Sequence, residues 1–147
     1  MKTKPRAFYI WLVLSLLCGI GIFISSSIEG AVSGAASMAI AERIQTLIGI
    51  DRDFLHFLVR KFAHVMVFFL LAFCVTNTLK YVIKRKHLIF WVSWGISSAY
   101  GVLDEAHQYF VPGRVFAVTD MLLNAAGALL GTAFAYILYV KFYRKKY

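Results

Sequence analysis

The strongest constraint on this chain is a set of four stretches of predominantly apolar residues. Each is close to the roughly 20 residues a helix needs to cross a hydrocarbon core about 30 Å thick. They cover residues 7–24, 62–79, 88–108 and 121–140. Little sequence remains outside them, so the expected fold is all-α: a polytopic membrane protein with a four-transmembrane-helix bundle, forming one domain over residues 1–147. Lys2, Lys4 and Arg6 before the first run also fit a secretory signal. That run is longer than the 7–15 residues of a signal core, and Ser25-Ser26-Ser27 is a weak cleavage site, so the first span is expected to stay as an anchor.

Composition agrees with a membrane protein and then says how it is oriented. Of 147 residues, 61% are hydrophobic and 16% charged, which excludes a disordered chain. With 16 Lys and Arg against 7 Asp and Glu, the net charge is +9, a value that in a soluble domain would suggest nucleic acid. The distribution indicates otherwise. Lys2, Lys4 and Arg6, then Lys80, Lys84, Arg85 and Lys86, then Lys141, Arg144, Lys145 and Lys146 occupy three alternate segments that hold no acid. All seven acids share the other two segments, 25–61 and 104–120, with Arg43, Arg52, Arg60, Lys61 and Arg114. By the positive-inside rule, both termini are expected to be cytoplasmic, in a multi-pass protein of the plasma membrane. The basic segments then suit anionic lipid heads, and no soluble basic fold is left to bind nucleic acid. Cys18 and Cys74 both fall inside spans, where they read as small packing residues rather than a disulfide framework or a metal motif.

The segment between the first two spans carries Ile28, Val32, Ala35, Ala39, Ile40, Ile44, Leu47 and Ile48 at near-helical spacing. It is expected to form an amphipathic helix on the outer leaflet. Pro112-Gly113 marks a turn in the second outer segment.

Ionisable and amide side chains inside spans are costly, so each is a functional candidate. Counted from the inner boundary at 1.5 Å per residue, His64, Asp104 and Asn124 all lie about 24–25 Å up, on three different helices. Arg60, Lys61, Gln108 and Asp120 follow at about 28–32 Å. Lys61 and His64, then Asp104, His107 and Gln108, then Asp120 and Asn124, are spaced to share a helix face. Gly127 and Gly131 continue the last stripe as a G-x-x-x-G pair that admits a close neighbour. Simpler roles compete. Asp120 also suits the first turn of a helix, Arg60 and Lys61 suit snorkelling anchors, and the Trp and Tyr rings suit interface belts. His87 reads as an interface residue, and His56 has no assigned role. The run Asp104-Glu105-Ala106-His107-Gln108 exceeds any capping need.

That run, continued by Tyr109-Phe110-Val111-Pro112-Gly113-Arg114 and followed by Asp120, Asn124 and Gly127, resembles the VanZ-like family. Lys61-Phe62-Ala63-His64, with Phe68 and Phe69 after it, is similar to that family's motif at the start of its second span, although Arg60 stands where an acid is frequent. The family is named for a membrane protein linked to low-level resistance to teicoplanin, a lipoglycopeptide that binds cell-wall precursors. The resemblance implies a multi-pass envelope protein whose partners are the lipid bilayer and a lipid-linked cell-wall precursor or lipoglycopeptide, with helix-mediated oligomers as a further expectation.

Three function classes follow. The first is an accessory envelope protein with an outer-leaflet polar site. The second is a membrane enzyme acting on a lipid head group or lipid-linked precursor. Here His64 or His107 is the general base, oriented by Asp104 or Glu105, while Arg60, Lys61, Gln108, Arg114, Asp120 and Asn124 bind an anionic group. No cofactor is identified and no metal ligand set is assigned, although Asp104, Glu105 and Asp120 together offer oxygens suited to a divalent cation. The candidate cluster contains no Ser or Cys, which argues against covalent catalysis. The third is a transporter, which the absence of an inverted repeat disfavours.

Overall fold

The computed structural model describes residues 4–28 and 30–143. Lys2, Arg144, Lys145 and Lys146, counted above in the basic segments, lie outside them. The described residues form five α-helices: α1 (Arg6–Ser26), α2 (Gly30–Ile48), α3 (Arg52–Leu79), α4 (Lys86–Gln108) and α5 (Val118–Leu138). α5 runs on into a π-helical turn, Tyr139–Tyr143. The structure is 84% helical, and the described residues include no strand.

Three helices among the described residues are long and apolar enough to cross a membrane, not the four expected: α1, α3 and α5 with its continuation to Lys141. The exception is α4. It has the length, at 23 residues, but turns Ser93, Ser97, Gly101 and Glu105 inward at four-residue intervals, flanked by Asp104 and Gln108. That inward polar stripe dilutes its apolar character. A second correction concerns α3, which begins ten residues before the expected start at 62. Asp51 caps it by accepting from the Phe54 amide at 2.9 Å, so the helix forms through a charged first turn that carries Asp53. At 28 residues it is about 42 Å long, about 12 Å more than a hydrocarbon core requires. Arg60 and Lys61 therefore sit within a helix rather than before one.

α3 is the hub, packing against each of the other four α-helices. Ile22 of α1 meets Phe68 and Leu71 of α3 in the buried core, with Cys18, Val75 and Tyr100 around them. Both cysteines are free. On its other side α3 rides directly on the backbone of α5. A Cβ on Gly127 would lie 2.3 Å from the Val65 carbonyl oxygen, and one on Gly131 would lie 2.1 Å from that of Phe69. Only glycine admits this approach, so the G-x-x-x-G pair is occupied within the chain.

Polar ties between the N-terminal half of α1 and the C-terminal end of α3, with Ile22 meeting Phe68 and Leu71 further along, make α1 and α3 antiparallel. Lys4 Nζ donates to the Tyr81 carbonyl at 2.7 Å, and the Ser15 and Thr78 hydroxyls share a hydrogen bond at 3.2 Å. The opposite end gathers the C-termini of α1 and α4, the start of α5 and the N-terminal half of α3; we call it the site end. Much of the remaining surface is apolar. Leu16, Leu17, Ile20 and Phe23 of α1, Leu122, Leu130 and Phe134 of α5, and Ile96 and Leu103 of α4 are all exposed. Patches of this extent belong in lipid rather than water.

The helix expected between the first two spans is present as α2, but its orientation is informative. Val32, Leu47 and Ile48 face outward, while the small residues Ser33, Ser37 and Ala41 turn toward the protein. The apolar face is left for lipid.

Candidate functional site

Two polar clusters form at the site end, and adjacent residues of α4 separate them. Asp104 and Glu105 are about 100° apart around the helix axis, so one faces α1 and the other faces α5.

In the first cluster, Ser26 of α1 donates to Asp104 Oδ1 at 2.5 Å, and Gln108 Nε2 donates to Asp104 Oδ2 at 2.9 Å. Gln108 Nε2 also lies 3.3 Å from Ser26 Oγ. All three residues are buried. His107 stands beside them, its Nε2 sharing a 3.0 Å hydrogen bond with Ser27 Oγ and its ring 4.6 Å from that of Phe23.

The second cluster joins α3, α4 and α5. The Lys61 ammonium pairs with Asp120 Oδ1. His64 Nδ1 lies 3.1 Å from Asn124 Oδ1, and its Nε2 lies 3.9 Å from Asp120 Oδ2. Glu105 is fully buried; its Oε2 accepts only a long 3.4 Å bond from the Ala117 amide, and its Oε1 has no partner. Asn124 Nδ2 is likewise buried without a partner. Asp120 lies in the first turn of α5, after an N-cap, Ala117, that offers no side-chain cap. It therefore combines the first-turn position expected of it with an ion pair to another helix.

This arrangement corrects the expected pairings. Neither Asp104 nor Glu105 orients a histidine: His64 is held by Asn124 and faces Asp120, and His107 is held by Ser27. Asp104 does not share an ion site with Glu105 and Asp120. The ligand atoms that converge are those of His64, Glu105 and Asp120, all within 4.8 Å of one another.

A cavity of about 320 Å³ opens beside the two clusters. Ile22, Val67 and Phe68 form an apolar part of its lining, and Arg60, His64, Asp104, Gln108 and Arg114 contribute polar groups. Arg60 is half-buried and has no hydrogen-bond or ion-pair partner among the described residues. Arg114 is more committed than its sequence position suggested. Its Nε and Nη2 donate to the carbonyls of Ile28 and Ser25, each at 3.3 Å, closing the end of α1 against the α4–α5 loop. Gly113, with φ of 71°, makes that loop turn sharply, and the Gly30 amide donates to the Pro112 carbonyl at 3.0 Å. Burial first, and the neighbouring Arg60 charge second, hold the Arg114 guanidinium below its ordinary value. Two guanidinium groups facing one cavity repel each other, and an anion between them relieves that repulsion.

The cavity wall also includes residues that sequence reasoning missed: Ser25, Ser26, Ser33 and Ser37. Serine is therefore not absent from the site. Ser33 and Ser37 stand one helical turn apart on α2, a spacing that was legible but lay within a segment read for its apolar stripe. Ser37 Oγ lies 2.9 Å from His56 Nε2, which gives His56 a role in holding α2 on α3.

No curated protein and no solved structure matches the chain. The VanZ/LLP1 family model matches residues 8–139, a range that takes in α1 through α5 and both polar clusters, and the chain belongs to that family.

Proposed function

We propose that this VanZ-family protein lies in the plasma membrane with both termini cytoplasmic, and that its site end faces the outer leaflet. There the cavity takes the anionic head group of a membrane-anchored molecule. In this reading α4 is a fourth span. It is about 34 Å long at 1.5 Å per residue, it buries its polar stripe inside the bundle, and it presents Ile96, Val102 and Leu103 to lipid.

The observation that carries the head-group reading is Arg60, a cation on the cavity wall with no partner among the described residues, beside a second guanidinium and above an apolar lining. A planar guanidinium suits phosphate or carboxylate, and the apolar part suits the start of an acyl chain. An accessory, binding role is favoured over general-base catalysis. Although His64 reaches the cavity wall, its Nδ1 is held by Asn124 at 3.1 Å and its Nε2 is directed toward Asp120 Oδ2, 3.9 Å away. Through such a site the protein alters how a lipoglycopeptide of the teicoplanin type meets its lipid-linked target.

Two measurements test this. Native mass spectrometry of the purified protein is expected to retain an anionic lipid that Arg60→Gln releases; a wild type that holds none, even with phosphatidylglycerol added, rejects the head-group site. Deletion of the gene is expected to raise susceptibility to teicoplanin more than to vancomycin, with restoration by wild type and not by Arg60→Gln. No change toward either antibiotic removes the resistance role.

A further inference from the structure

The second cluster contains an electrostatic arrangement that the head-group reading does not use. We infer that His64, Glu105 and Asp120 bind one divalent cation of the Zn²⁺ or Mn²⁺ class, and that Lys61 stands in for its charge when the cation is absent. The cation site stands whether or not the cavity binds a head group, because of its three ligands only His64 reaches the cavity wall, and Arg60, which carries the head-group reading, is not one of them.

Three observations converge on it. The first is ligand geometry. One nitrogen and two carboxylate oxygens, each from a different helix, lie within 4.8 Å of one another. Bonds of about 2.0–2.2 Å would set the ligands of a tetrahedral ion about 3.4 Å apart, so the side chains need close by no more than about 1.4 Å. Three protein ligands with a further position open is the pattern of sites that also take water or substrate.

The second is orientation of the imidazole. Asn124 Oδ1 can only accept, so at 3.1 Å it draws the Nδ1 proton of His64 and leaves the Nε2 lone pair directed toward Asp120 Oδ2. At 3.9 Å those two atoms are too far apart for a hydrogen bond. In the neutral ring both are acceptors, and a cation between them resolves the opposition. Metal-binding histidines usually donate their other ring N–H to a carboxylate, a backbone carbonyl or water, and the Asn124 side-chain oxygen offers the same kind of acceptor.

The third is charge. Glu105 is fully buried with Oε1 unpartnered, and Asp120 is the only carboxylate of the two that Lys61 pairs with. Two carboxylates thus face one ammonium. Lys61 is a quarter exposed, with its ammonium 5.4 Å from the exposed Phe57 ring. It can leave Asp120 for the surface as a doubly charged ion enters. A mixed nitrogen and oxygen ligand set favours Zn²⁺ or Mn²⁺ over Ca²⁺, which takes six to eight oxygens.

The test is titration of detergent-purified, chelator-stripped protein with Zn²⁺ by calorimetry, and with Mn²⁺ by electron paramagnetic resonance. Wild type is expected to bind one equivalent. Glu105→Gln is expected to bind at least about 100-fold more weakly, beyond the 10–100-fold that outer-shell partners contribute. Lys61→Met is expected to bind about tenfold more tightly, the lower end of what one like charge at this distance does to an ionisation. Tighter binding cannot come from a misfolded variant, which makes Lys61→Met the decisive arm. Absence of binding by wild type, unchanged affinity in Glu105→Gln, or equal or weaker affinity in Lys61→Met each overturns the site.

Discussion

The two polar clusters at the site end are built from the same materials and differ in completeness. Ser26, Asp104 and Gln108 satisfy one another, and both Asp104 oxygens accept a short hydrogen bond. One residue further along α4, Glu105 has only one long bond and an unpartnered oxygen, beside Asn124 with its amide nitrogen unpartnered. A buried carboxylate whose hydrogen bonds are complete acts as a fastener between helices. One that lacks them keeps a cost that a ligand can offset. Burial alone does not distinguish the two acids, since both are buried; the completeness of their hydrogen bonds does.

The comparison can be broken in several places, and equilibrium unfolding in mixed micelles reads all of them. The largest effect is expected from Gly131→Val. Its side chain would enter the Phe69 backbone, and the α3–α5 approach that assembles the second cluster would be lost, at a cost of about 3 kcal/mol or more. Normal stability in this variant would mean that the close approach does not hold the cluster together. Asp104→Ala comes next. It removes the acceptor of two buried hydrogen bonds and leaves Gln108 Nε2 and Ser26 Oγ only their 3.3 Å bond to each other, for an expected loss of about 2–3 kcal/mol. Glu105→Gln, by contrast, is expected to change metal-free stability by less than about 1 kcal/mol, because it removes a buried charge with few partners. A loss as large as that of Asp104→Ala would erase the distinction between the two acids. The smallest effect belongs to Ser27→Ala, whose bond to His107 is exposed, at about 0.5 kcal/mol or below.

Depth was legible in the sequence, and direction was not. Counting 1.5 Å per residue put His64 and Asn124 at one level, and they lie 3.1 Å apart. The same count put Asp104 with them, yet Asp104 faces α1 while Glu105 faces the pair. Which of two adjacent residues meets which neighbour depends on how α4 is rotated between α1 and α5, and nothing local in Asp104-Glu105 encodes that. The start of α3 was hidden for a different reason. Its first five residues include Arg52, Asp53 and His56, so an apolar window places the boundary where hydrophobicity begins rather than where Asp51 caps the helix. α4 reads as a span from its run of predominantly apolar residues, although its inward stripe of Ser93, Ser97, Glu105 and Gln108 keeps it below the apolarity of α1, α3 and α5. The serines of the cavity were passed over because Ser25, Ser26 and Ser27 were weighed only as a cleavage motif. The Gly127–Gly131 pair, whose meaning rests on side-chain volume alone, was read correctly as a close-packing stripe.

The outward apolar face of α2 has a consequence for how that helix stays in place. The face it turns to α3 carries the small residues Ser33, Ser37 and Ala41, and its polar ties are Ser37 to His56, the Gly30 amide to Pro112, and Arg114 to the turn before it. Burial of Val32, Leu47 and Ile48, the usual source of docking energy, is supplied by the surrounding medium instead. The bilayer is then a structural component of this face. Amide exchange along α2 should be slow in lipid nanodiscs and fast in short-chain detergent, while α3 and α5 exchange alike in both, and the cavity wall that α2 forms would loosen with it.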